Sequence, residues 1–183
     1  IHVTEFEVKI TDIKVFPTQV GNHSQFLVKV ETDEGIYGWG EGGLANHDKA
    51  VAGVIEYFKG FLIGSDPLDR GAHWQRMYRG QYFEGSLILT AAMSAIDIAL
   101  YDITGKALGV PVYQLLGGKQ RDYVPAFATV TAPDGPQLIE DCQMLVEKGW
   151  TTIRRNLPLM PDGTGSSGGE LYEPRESIAS TAV

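Results

Sequence analysis

The chain has 183 residues, a hydrophobic fraction of 43% and a charged fraction of 21%, ordinary globular values that exclude wholesale disorder. Its 15 Lys and Arg against 23 Asp and Glu leave a net charge of −8, a field that repels polyanions and argues against general nucleic-acid binding. A single cysteine permits neither an intramolecular disulfide nor a CxxC zinc pair.

The first segment reads as strands. Phe6, Val8 and Ile10, then Ile13 and Val15, alternate with polar residues, with a slip near Thr11-Asp12, as in a half-buried strand over 6–16. Pro17 to Ser24 reads as a loop, and residues 25–32 alternate again through Phe26, Val28 and Val30. Asp33-Glu34-Gly35 is a hairpin turn and residues 36–41 are the returning strand, so an antiparallel meander is predicted. Helical spacing follows at Val51, Val54, Ile55, Phe58 and Leu62. Asp66-Pro67 reads as the N-cap and first position of the next helix, running to about Arg79. Residues 86–108 form the longest helix, whose small residues predict close approach to neighbouring helices; Gly109 and Pro111 stop it.

After Gly117-Gly118 the pattern changes to strand (124–130), helix (136–148), strand (150–155), a Gly-rich loop to Glu173 and a helix opened by Pro174. That order is the signature of parallel βαβ units. The predicted architecture is an α+β domain over 1–118 followed, over 119–183, by the first two βα units of a barrel. Only 65 residues follow residue 118, whereas a full barrel takes on the order of 250.

No uninterrupted apolar run approaches the roughly 18 residues that cross a bilayer. Residues 1–7 lack the basic and apolar regions of a signal peptide. A soluble, cytoplasmic protein with no membrane partner is expected. The missing initiator Met and the Ser-Thr-Ala-Val end suggest a piece of a longer chain.

Several segments could carry chemistry. Gly38 to Gly43 match G-x-G-x-x-G, but the first two glycines sit in a hairpin strand rather than a βα turn, and relief of crowding at a strand edge accounts for them better. Asn22, His23 and Ser24 form a polar loop that could touch a ligand. Asp97 and Asp102 are five residues apart on one helix, about 140° around its axis, which favours structural roles (Lys106 is four residues beyond Asp102) over paired acid–base work. Cys142 reads as packing. The four histidines have no metal-ligand spacing. Alternation places Thr152, Arg154 and Asn156 on one face of the last strand. If Ile153 faces the helices, Arg154 and Asn156 face a barrel mouth, where a guanidinium suits a carboxylate. A salt-bridged strand end remains the other reading of Arg154.

The residues say more than their periodicity. Asp33-Glu-Gly-Ile-Tyr-Gly-Trp-Gly-Glu41, Ile63-Gly-Ser-Asp-Pro67, and above all the run from Ala95 through Asp97, Asp102, Gly105-Lys106 and Gly109-Val-Pro111 to Gly117-Gly118 resemble the mandelate racemase/muconate lactonizing branch of the enolase superfamily. Met77-Tyr-Arg-Gly80 and Gly149-Trp-Thr-Thr-Ile-Arg154 are most similar to acid-sugar dehydratases of the galactonate and mannonate kind. The resemblance implies a capping domain over a modified barrel. It also implies Mg²⁺ held by carboxylates at the third to fifth barrel strands, and a base that abstracts the proton α to a substrate carboxylate before the β-hydroxyl leaves. The ligands and base are then expected beyond residue 183, and the 183-residue chain is expected to be inactive. Val20–Ser24 and Glu41–His47 match the two capping loops, so Asn22, His23, Ser24 and His47 join Arg154 and Asn156 as expected substrate-binding residues. Arg154-Arg155-Asn156 stands where many relatives carry a Lys-x-Lys base, which argues against a lysine-dependent racemase. Thr129 replaces a histidine of mannonate dehydratases, which argues against mannonate. The expected partner is a small sugar acid, in a homo-oligomer. A racemase or epimerase of the same family, and a non-catalytic interaction module, are the alternatives.

Overall fold

The computed structural model describes residues 8–20, 23–44, 47–80, 82, 85–132 and 135–155. They fall into two compact units that divide after Gln120.

The first unit opens with an antiparallel sheet of β1 (Ile10–Val20), β2 (His23–Thr32) and β3 (Tyr37–Gly42) in the order β1-β2-β3. The slip in the sequence is a β-bulge between Ile10 and Asp12. It brings Ile10 and Ile13, three residues apart, to the same buried face, which a regular two-residue repeat forbids. The predicted loop over Pro17–Ser24 is mostly strand: β1 continues to Val20, with Pro17 opposite Phe26 and Val20 opposite His23. Cross-strand register overrides the loop-like composition, and Pro17 is tolerated because β1 is an edge strand. At the second turn Gly35 takes φ 75°, a left-handed conformation that glycine adopts without strain.

Helix α1 (Asp48–Leu62) buries Val51, Ile55, Phe58 and Leu62, the stripe that its spacing predicts. The start of α2 (Arg70–Arg79) differs from the expectation, for its N-cap is Asp69. Asp66 instead makes a tight turn, its Oδ1 accepting from Leu68 N at 2.8 Å, and this local hydrogen bond competes with helix initiation. The Asp66 carbonyl oxygen lies 2.6 Å from Nε2 of the buried His73, which ties that turn to α2.

Helix α3 (Leu87–Leu108) is the central element. Ser86 caps it, its Oγ accepting from Leu89 N at 3.0 Å. Gly109, at φ 67°, ends it, with Val110 N donating to Gly105 O and Gly109 N to Lys106 O, the paired bonds of a Schellman stop. An 18-residue window of α3 has a mean hydropathy of 1.6, so by length and composition it could span a membrane. That corrects the expectation drawn from uninterrupted apolar runs. Here α3 is a core helix, with Ala92, Ala95, Ile96, Ala99, Leu100 and Ile103 buried. Besides packing against α1 and α2 as its small residues predict, it approaches β3 closely at its alanines: a Cβ on Gly38 would stand 1.9 Å from Ala99 O, and one on Gly40 1.9 Å from Ala95 O. Gly38 and Gly40 of the G-x-G-x-x-G match therefore relieve crowding where the inner face of the edge strand β3 meets α3, whereas Gly43 has open space around it. A short α4 (Val112–Leu115), absent from the sequence reading, follows Pro111.

In the second unit β4 (Ala128–Val130) pairs in parallel with β5 (Ile153–Arg155), with α5 (Pro136–Glu147) between them in sequence. Both strands are shorter than their apolar patterns suggest. Gly149, at φ 90°, ends the helical segment, with Trp150 N donating to Leu145 O. No residue of α5 is fully buried. Cys142, expected in packing, is half-buried, and Ile139 and Val146 are exposed, because two three-residue strands cover little of an apolar helix face. The predicted loop to Glu173 and the helix at Pro174 lie outside the described residues.

Candidate functional site

Of the residues expected at the capping loops, Asn22 lies outside the described set. His23 opens β2 opposite Val20, and Ser24 pairs with Gln19 at the tip of the β1–β2 hairpin. The sheet thus carries His23 and Ser24 on a paired strand rather than on an irregular loop. His47 is the N-cap of α1. Its carbonyl accepts from Ala50 N at 2.9 Å and Val51 N at 3.0 Å, so backbone bonds fix where the second capping segment enters its helix.

Arg154 lies in β5 with Thr129 of β4 as its register partner. Both are exposed, whereas Val130 is buried and Ile153 and Arg155 are half-buried on the opposite face. The expected alternation therefore holds for Arg154, and Asn156 lies outside the described residues. Among the described residues no carboxylate pairs with Arg154. Its guanidinium instead sits over the ring of Phe127, with Cζ 4.6 Å from the centroid. The charge is held beside an aromatic face while its N–H donors stay available for a planar anion. Sequence reasoning passed over Phe127. The available signal was its place two residues before Thr129, on the same side of the extended segment that leads into β4.

The two aspartates of α3 do different work. Asp102 Oδ2 accepts from Lys106 Nζ at 2.7 Å and from Trp39 N at 2.9 Å, and the same Nζ donates to Tyr37 O at 2.7 Å. The expected Asp102–Lys106 pair thus also satisfies backbone groups along β3, at a sheet edge that would otherwise offer them to another strand. Asp97 makes no hydrogen bond or ion pair among the described residues. Burial raises its carboxyl above the ordinary value, and the nearby positive charge of Arg70 opposes that shift. Arg70 itself lies over Tyr101, with Cζ 3.7 Å from the ring centroid. An unpaired Asp97 and a fully engaged Asp102 do not form an acid–base couple. Among the described residues no group of three His, Cys, Asp or Glu gathers as a metal-binding set, so the Mg²⁺ that the resemblance implies finds no fitting ligands there.

Comparison with known proteins accounts for this arrangement. Residues 1–117 match the mandelate racemase / muconate lactonizing enzyme N-terminal domain. A D-galactonate dehydratase from Variovorax paradoxus is 42% identical over 149 residues, covering 81% of this chain and 38% of that protein. A crystal structure of an enolase from Pantoea ananatis with bound D-gluconate and Mg superposes with a TM-score of 0.77 at 36% identity, over 81% of this chain and 36% of that one. A member of the enolase superfamily from Salmonella Typhimurium superposes with a TM-score of 0.78 at 31% identity, over 94% of this chain and 49% of that one. The chain therefore spans well under half the length of the Variovorax relative and about half that of the Salmonella structure. The three-stranded antiparallel sheet with its helices is a capping domain, and the parallel β4–β5 pair is the start of the barrel. The chain belongs to the mandelate racemase/muconate lactonizing enzyme family of the enolase superfamily.

Proposed function

We propose that this chain supplies the capping domain (1–118) and the first two βα units (119–183) of an acid-sugar dehydratase acting on an aldonate such as D-galactonate. Arg154 carries the reading. It is an exposed strand-end guanidinium without a carboxylate partner among the described residues, on the same strand pair as Thr129. A bidentate donor of fixed charge there would anchor the substrate carboxylate. Loss of the β-hydroxyl as water then gives an enol, which tautomerises to the 2-keto-3-deoxy acid. Residues 154–156 contain no lysine, so the base belongs to other polypeptide, and we place the Mg²⁺ ligands beyond residue 183. Relatives named D-galactonate dehydratase and a neighbour holding D-gluconate support the substrate class. On this reading Asn22, His23 and Ser24 of the first capping segment contact the sugar, and His47 borders the second.

The test is expression of the complete coding sequence that carries this chain, with Mg²⁺, against D-galactonate, D-gluconate and D-mannonate. Formation of a 2-keto-3-deoxy acid is expected. An epimerised aldonate with no loss of water would establish the racemase or epimerase alternative, and turnover by the purified 183-residue chain alone would refute the division of labour.

A further inference from the structure

We propose that Phe127 is a positioning residue for Arg154, a proposal that rests on the reading of Arg154 as the cation that meets the substrate carboxylate. Phe127 immediately precedes β4 and, by the two-residue alternation of extended chain, shares a side with Thr129. Thr129 is the register partner of Arg154, so the ring is its diagonal neighbour, and Cζ stands 4.6 Å from the ring centroid. A free arginine at a strand end samples many rotamers. A ring beside its guanidinium restricts them without occupying the N–H donors that a carboxylate needs. An acidic neighbour would also orient the guanidinium, but it would compete with the substrate for those donors. An aromatic partner holds the cation and leaves it unneutralised.

The proposal is tested by steady-state kinetics of the complete enzyme carrying this chain, using the aldonate it turns over fastest. The variants are Phe127→Leu, Phe127→Met, Phe127→Tyr, Arg154→Ala and the double variant Arg154→Ala/Phe127→Leu. Loss of an exposed cation–π contact corresponds to about a two- to fivefold change in an equilibrium. The Leu and Met variants are expected to raise KM by about that factor with little change in kcat, and Tyr, which keeps the ring, restores the wild-type KM. In the Arg154→Ala background, Phe127→Leu is expected to add nothing, as a double-mutant cycle requires of a residue acting through Arg154. Leu and Met are both apolar and no larger than the ring they replace, so a folding defect peculiar to one leaves the other to decide. A wild-type KM in Phe127→Leu and Phe127→Met beside an impaired Arg154→Ala overturns the positioning role alone. So does a Leu effect that persists at full size without Arg154. Wild-type kinetics in Arg154→Ala overturns the underlying reading of Arg154.

Discussion

Adding one methyl group at two different glycines is expected to move stability in opposite directions. At Gly40 a Cβ would lie 1.9 Å from Ala95 O and 2.9 Å from its carbonyl carbon, against 3.4–4 Å for ordinary contact. Strand and helix must therefore part by about 1.5 Å, since the obstructing atom is helix backbone and no rotamer can move it aside. Overpacking of this kind costs about 1–3 kcal/mol, occasionally more. The same substitution restricts the unfolded chain, an offset of about 0.4–1 kcal/mol. With the clash at the upper end of its range, Gly40→Ala should lose about 2 kcal/mol, a fall in Tm of roughly 8 °C for a unit that ends at Gln120. Gly53 is the control. It is exposed on α1 with no atom within 4 Å of an added Cβ, so Gly53→Ala should gain up to about 1 kcal/mol from helix propensity. Urea and thermal unfolding of the two variants, followed by far-UV circular dichroism, give the comparison. If Gly40→Ala unfolds within about 0.5 kcal/mol of wild type, where ordinary surface changes fall, the close-approach account of β3 and α3 is wrong.

Asp102→Ala should cost about 1–3 kcal/mol by leaving Trp39 N without its side-chain acceptor and Lys106 without its carboxylate, with only Tyr37 O remaining to it. Amide exchange at Trp39 should accelerate more than at Val28, and uniform acceleration would remove the edge-sealing role. Ser86→Ala should lose about 1 kcal/mol with the N-cap, and an unchanged urea midpoint would contradict the capping bond. Because burial raises the carboxyl of Asp97, the folded protein holds that proton to higher pH than the unfolded chain. The stability from the neutral form is complete below the unfolded value of about 3.9 and is lost as pH rises through the raised folded value. Asp97→Asn should therefore gain on wild type as pH rises above about 4, and a difference that stays flat with pH would show the burial effect to be negligible. Exchange of Val20–Ser24 in the complete enzyme should alter substrate preference more than Tm; equal turnover across the aldonates would free the hairpin tip from a substrate role.

Much of the fold was legible because its signals are local. The stripe Val51–Ile55–Phe58–Leu62, the caps Ser86 and Gly109, and the turn at Gly35 each depend on a few consecutive residues whose periodicity or backbone freedom has one cheap solution. The bulge near Asp12 could be read for the same reason, as a break in alternation. At Pro17–Ser24 composition pointed to a loop, yet pairing with β2 imposed strand, since register belongs to two segments at once. The misplaced start of α2 turned on whether the Asp66 side chain would bond Leu68 N or cap a helix, two geometries open to the same residue.

The candidate site divides along the same line. Alternation alone put Arg154 on the face opposite Ile153, because side-chain direction along a strand is a local property. That its guanidinium lies over Phe127, that Asp102 secures backbone on a strand more than sixty positions earlier, and that Gly38 and Gly40 clear the path of α3 were decided by tertiary structure. Each of these depends on distances between segments remote in sequence, and packing sets such distances only after every element has formed.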